Sequence, residues 1–146
     1  MQDLLHETLK RGKETVSTAQ ALADKSIIGL YFSLRACGPC QEFTPKLAQV
    51  YDDIQEKYDD VEIVYLPYDH NQEDFDAYYA EMPWLALPYA DIGIDLSKEL
   101  GKTFDVYGPA LLFLNPQGEI LTRDGIALVE QHGHDVDELI EAIRKP

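Results

Sequence analysis

Cys37-Gly38-Pro39-Cys40 constrains this chain more than any other four residues. An apolar run, Ile27 to Leu34, precedes it, and a stretch with helical spacing starts at about Pro39. The run is nearly continuous in Ile, Leu, Tyr and Phe, as in a central strand buried on both faces. Two cysteines placed where a strand ends and a helix begins form a thiol–disulfide exchange site. A helix N-terminus presents free backbone N–H groups and the positive end of a macrodipole. Both favour a thiolate, which is the species that attacks a disulfide. The two-residue spacer brings the second sulfur within reach, so a mixed disulfide can be resolved internally.

Other chemistries use the same spacing. Structural zinc needs four ligands, and the remaining candidates are His6, His70, His132 and His134, none with a matching partner spacing. An inert structural disulfide belongs to oxidising compartments. The chain opens Met1-Gln2-Asp3-Leu4-Leu5-His6-Glu7, without the basic and apolar regions of a secretory signal. The expectation is therefore a cytoplasmic redox pair, with no metal and no cofactor beyond the Cys37–Cys40 disulfide.

The 146 residues suit a single domain, 1–146. No 18-residue apolar run marks a membrane span. A net charge of −15 argues against nucleic acid, whose phosphates need a basic surface. The acidity reads first as solubility, and otherwise as selection of a cationic partner. A monomer is the default expectation.

Along the chain, residues 3–10 read as a short helix, Glu14–Ser17 as a strand and Ala19–Ala23 as a helical turn. Ser26–Leu34 is the first central strand. The helix from Pro39 to about Tyr58 carries Phe43, Leu47, Val50, Tyr51 and Ile54 on one face. Pro39 sits where a first-turn proline is tolerated, whereas Pro45 should kink the helix. Val61–Tyr68 is a strand and Asn71–Met82 a helix. Pro83–Pro88 is an apolar loop, and Ile94–Phe104 a helix. Pro109–Leu114 and Glu119–Thr122 form a hairpin about the Asn115-Pro116-Gln117-Gly118 turn. Asp135–Arg144 closes the chain as a helix. Strands separated by helices imply parallel crossovers, and the hairpin adds antiparallel strands. The fold class is α/β, a central mixed sheet with helices on both faces.

This order resembles the thioredoxin fold and, more narrowly, its tryparedoxin/nucleoredoxin branch. The resemblance rests on Tyr31-Phe32-Ser33 before the motif, Phe43-Thr44-Pro45 after it and Met82-Pro83-Trp84-Leu85-Ala86-Leu87-Pro88-Tyr89. It implies that Cys37 is the exposed nucleophile and Cys40 the buried resolving thiol. It implies a substrate groove formed by Ala36, Gly38, Pro39, Gly108 and Pro109, with a cis Gly108–Pro109 bond where an extended substrate pairs. Tyr31 occupies the place of a buried acid that often assists the resolving thiol, and so becomes a candidate for proton transfer. Trp84 is a wall of the groove or a core aromatic that anchors its loop. His70 tunes the site or is a solvated surface residue.

Three departures from the family pattern stand out. Ala36 replaces a tryptophan beside the first cysteine, which opens the lip of the site. Arg35 is expected to fill part of that space and favour a thiolate. The spacer is Gly-Pro rather than Pro-Pro. His70 stands where an acid is expected, and Gly125 where one of two arginines is, with Arg123 keeping the other. The implied activity is reduction of protein disulfides, recharged by an upstream dithiol or a thioredoxin-reductase-type reductant. The other reading is a redox-sensitive binding module.

Overall fold

The computed structural model describes residues 2–145. Among these residues seven strands form one mixed sheet in the order β2 (Glu14–Ser17), β1 (Thr8–Arg11), β5 (Leu85–Ala86), β4 (Val61–Pro67), β3 (Ile27–Ser33), β6 (Ala110–Leu114) and β7 (Ile120–Thr122). β3 (Ile27–Ser33) and β4 (Val61–Pro67) lie parallel at its centre and are buried along their whole lengths. Their residues alternate between two cores. Ile27 and Tyr31 point to one face, and Ile28, Leu30 and Phe32 to the other. That period of two, with both faces covered, is why the run is almost wholly apolar up to Ser33, which is itself buried. Gly29 interrupts the run because Phe113 of β6 (Ala110–Leu114) lies against it. A Cβ there would come 3.0 Å from the Phe113 ring.

The first face is covered by α3 (Gly38–Lys57), α4 (Gln72–Tyr79), α6 (Gly125–His132) and α7 (Val136–Arg144). The second is covered by α1 (Gln2–Leu5), α2 (Thr18–Ala21) and α5 (Ile94–Thr103), the last entered through a π-helical turn, Tyr89–Gly93. Side-chain oxygens cap three of these helices, with Ser17 Oγ accepting from Gln20 N at 3.3 Å at the start of α2. Asn71 Oδ1 accepts from Asp74 N at 2.8 Å, and Asp135 Oδ1 accepts from Glu138 N at 3.2 Å. α3 runs through Pro45 without a break. Among the described residues no helix is long and apolar enough to cross a membrane.

Three parts of the chain differ from the sequence expectation. The helix expected over residues 3–10 stops at Leu5, where His6 takes a φ of 108°. Thr8–Arg11 is instead β1, turned at Gly12 (φ 61°) into β2 (Glu14–Ser17), with Leu9 opposite Val16. Gly12 provides the left-handed turn, and burial of Leu9 against the second core outweighs the helical spacing of Leu4, Leu5 and Leu9. Within the apolar loop, Leu85–Ala86 is a two-residue strand, β5, inserted between β1 and β4. The unexpected helix α6 follows β7 (Ile120–Thr122), so His132 ends a helix rather than lying in a loop.

One ionic contact ties β1 to the core. The Glu62 carboxylate, 3% exposed, accepts from Arg11 Nη2 at 3.0 Å, Tyr51 Oη at 2.7 Å and the Ile63 amide at 3.0 Å. Burial and the Glu62 charge push the Tyr51 phenol up, so it stays a donor. Arg11→Ala leaves that buried charge uncompensated and should lower unfolding free energy by roughly 1–3 kcal/mol. Urea denaturation checks this. A combined Arg11→Met/Glu62→Leu change should recover much of the loss.

Candidate active site

Cys37 is the N-cap of α3, with extended backbone at φ −85° and ψ 115°. Its sulfur accepts from the Cys40 amide at 3.3 Å, one of the four N–H groups that a helix start leaves without an intrahelical partner. Pro39 stands in the first turn, where its missing N–H costs no hydrogen bond. No acidic residue occupies that turn to oppose a thiolate. Cys37 is partly exposed and Cys40 is 3% exposed. Their sulfurs are at disulfide distance, with Cα atoms 5.2 Å apart.

A shallow groove of about 110 Å³ opens beside the pair, lined by Tyr31, Pro39, Cys40, Pro109, Ile126 and Glu130. Pro109 reaches it from the residues before β6, with Gly108 half-buried beside it. The Gly108–Pro109 bond is trans, not cis as expected, and no cis peptide occurs among the described residues. Trans is the intrinsically favoured isomer, by about 0.5–1 kcal/mol, and in it Pro109 still walls the groove.

Beneath the motif lies a set of buried hydroxyls. Thr44 Oγ1 donates to the Cys40 carbonyl at 2.9 Å. It lies 2.8 Å from Tyr31 Oη and 2.6 Å from Tyr78 Oη, and Tyr78 Oη is 2.7 Å from Ser33 Oγ. A hydroxyl has one proton and two lone pairs. With the Thr44 proton on Cys40, both phenols donate to Thr44, and Ser33 donates to Tyr78. Burial pushes the Tyr78 phenol up, which keeps that proton in place. Tyr31 is therefore a donor into this set, and its proton is committed to Thr44.

Asp69, 1% exposed, holds the approach to the motif. One carboxylate oxygen accepts from the Arg35 amide at 2.7 Å and the other from Tyr65 Oη. Tyr65 also donates to the Ser33 carbonyl at 3.1 Å. Burial raises the Asp69 pKa, against the lowering effect of these two donors.

The other expected residues divide. Ala36 and Gly38 are exposed at the rim, so the lip beside Cys37 is open. The Arg35 guanidinium bonds Asp74 Oδ1 at 3.1 Å, so its charge is paired across to α4 rather than filling that lip. His70 is exposed in the bend before α4 and does not line the groove. Trp84 is 0% exposed and packs edge-on against Tyr31 and Tyr51, which makes it a core aromatic and not a groove wall. Gly125 opens α6, where a Cβ would come 2.4 Å from the Leu111 carbonyl. No arginine fits there. Arg123 Nη2 instead donates to the Asp105 carbonyl at 2.9 Å. Sequence reasoning missed Thr44, Tyr78, Asp69, Ile126 and Glu130. Only Thr44, inside Phe43-Thr44-Pro45, carried a local signal.

A family model described as Thioredoxin-like matches residues 24–120, which holds β3, the cysteine pair, β4 and β6. The chain belongs to the thioredoxin-like family. Within it the chain falls in the tryparedoxin/nucleoredoxin branch. It is 44% identical over 115 residues to a probable nucleoredoxin 1 of Arabidopsis thaliana, covering 78% of this chain and 19% of that protein. It is 37% identical over 114 residues to the nucleoredoxin of Homo sapiens, covering 75% and 26%. Native tryparedoxin I from Crithidia fasciculata superimposes with a TM-score of 0.83 at 32% identity, covering 92% of each chain. The chain thus spans well under half the length of these nucleoredoxins, and nearly all of the tryparedoxin. In this thioredoxin-like oxidoreductase family, the Cys37–Cys40 distance is consistent with a redox-active dithiol.

Two outcomes test the site. Tyr78→Phe removes only the hydroxyl that joins Thr44 to Ser33, and should destabilise the oxidised protein by roughly 1–3 kcal/mol in urea unfolding. Asp69→Asn tests the pH linkage. A carboxylate whose folded pKa is raised binds its proton more tightly folded than unfolded, so its contribution to stability grows as pH falls. Wild type should gain stability relative to Asp69→Asn as pH drops from 7 into the ordinary carboxylate range.

Proposed function

We propose that this domain is a thiol–disulfide oxidoreductase that reduces protein disulfides. The observation that carries the reading is the asymmetry of the pair: Cys37 is accessible and capped by a backbone N–H, and Cys40 is buried one turn into α3. The Cys37 thiolate attacks one sulfur of a target disulfide, and the other target sulfur leaves as a thiolate. Cys40, as thiolate, then attacks Cys37, which closes the Cys37–Cys40 disulfide and releases the second target sulfur. An upstream dithiol or a thioredoxin-reductase-type reductant returns the pair to the dithiol. The Gly-Pro spacer and an ordinary helix start support a potential on the order of −200 to −270 mV, in the range of reducing family members.

The groove supports an extended segment as substrate. Pro109 and Ile126 offer apolar walls, and the exposed Ala36 and Gly38 leave room for a bulky target. A cytoplasmic setting, a single domain and a monomer complete the proposal. The second reading, a redox-sensitive binding module, draws on the open lip at Ala36, where a substrate meets no aromatic plate.

Insulin reduction with dithiothreitol tests the two. The expected result is wild-type turnover at least ten-fold above background, abolished by Cys37→Ser and by Cys40→Ser. Cys40→Ser should accumulate a mixed disulfide through Cys37. Wild-type turnover no faster than that of the variants would overturn the reductase and favour the module.

A further inference from the structure

The resolving step needs a proton acceptor. Cys40 is buried, and burial in apolar surroundings favours the thiol over the thiolate that must attack. Two candidates near the pair are already engaged. Tyr31 has its proton committed to Thr44, whose own proton goes to the Cys40 carbonyl and not to its sulfur. Asp69 has its carboxylate occupied by the Arg35 amide and Tyr65, on the approach to the motif.

Glu130 is differently placed. It lies one helical turn after Ile126 on α6, and both residues line the groove shared with Cys40 and Tyr31. It is the only carboxylate on that groove, is exposed, and has no ion pair or side-chain hydrogen bond among the described residues. The groove, about 110 Å³, has room for several waters. Water held in that groove gives a proton a path from the Cys40 side to Glu130. Glu130 also borders a second, wider groove with Lys46 of α3 and His134, and His134 and His132 both face Glu138 of α7.

We infer that Glu130 is the proton acceptor for the Cys40 thiol in the resolving step. The inference rests on the dithiol reading above. In the mixed disulfide, Cys37 Sγ is bonded to the target sulfur. Glu130 takes the Cys40 proton, and the Cys40 electron pair forms the bond to Cys37 Sγ. The Cys37–target bond breaks, and its pair leaves on the target sulfur, which the protonated Glu130 or solvent neutralises. The target gains two electrons, which the protein dithiol loses.

The test uses the reduced protein and excess 5,5′-dithiobis(2-nitrobenzoate). Attack by Cys37 releases one thionitrobenzoate at a rate proportional to reagent. Resolution by Cys40 releases a second at a rate independent of reagent. Glu130→Gln should slow the second phase roughly ten-fold, toward the modest end of general-base effects, and leave the first within two-fold. Glu130→Asp should restore most of the loss. A second phase within two-fold of wild type in Glu130→Gln, or equal slowing of both phases, overturns the inference. So does slowing of the second phase by Tyr31→Phe with none by Glu130→Gln. A wild type that never releases a second equivalent overturns the dithiol reading itself, and with it this one.

Discussion

The Cys37 sulfur occupies the position of a helix cap. It takes the hydrogen bond that a serine or aspartate oxygen would take at the start of an ordinary helix, and the site depends on that substitution. A sulfur placed there receives a backbone N–H and the positive end of a 20-residue helix. These favour its negative charge, and the charge of Arg35, two residues before it, is paired with Asp74. On the proposed dithiol reading, stabilising the cap and activating Cys37 are the same interaction.

The rest of the fold keeps that cap in place. β3 delivers the chain to the motif, and its alternating residues anchor it in both cores. Asp69, two residues past the end of the neighbouring parallel strand, holds the Arg35 amide just before the motif. Below the first turn of α3, the hydroxyls of Thr44, Tyr78, Tyr31 and Ser33 satisfy one another and the Cys40 carbonyl. A satisfied network of this kind specifies one arrangement, and a half-satisfied one would be costly. The pair is held by groups from α3, α4, β3 and β4, so its geometry is a property of the end of the two central strands and the helices on them, not of four residues.

What was legible in the sequence was local or periodic. The motif, the strand before it and the helix after it follow from local spacing, and the asymmetry of the cysteines was implied by the family resemblance. The α/β mixed sheet follows from the order of elements, and the thioredoxin-like class was implied by the resemblance of that order and its motifs. The hydroxyl network was hidden because Tyr78 lies 34 residues from Thr44, and nothing local links them. Asp69 and Glu130 looked like two more acids in a chain with 27 of them. β1 was misread because Leu9 satisfies a helical stripe and a strand alternation equally well, and only the pairing with β2 decides between them. α6 escaped because it is short, opens with a glycine required by contact with Leu111, and is apolar on most sides. The trans Gly108–Pro109 bond and the burial of Trp84 are tertiary outcomes with no local signature.

The central claim is that the start of α3 makes Cys37 a thiolate at neutral pH while Cys40 stays a thiol. Thiolate absorbance near 240 nm, followed across pH in the reduced Cys40→Ser protein, measures the first half most directly. The account predicts a Cys37 titration midpoint well below the ~8.5 of a free cysteine. A midpoint at or above that value would mean that the helix cap does not activate the sulfur, and the account would fail at its base.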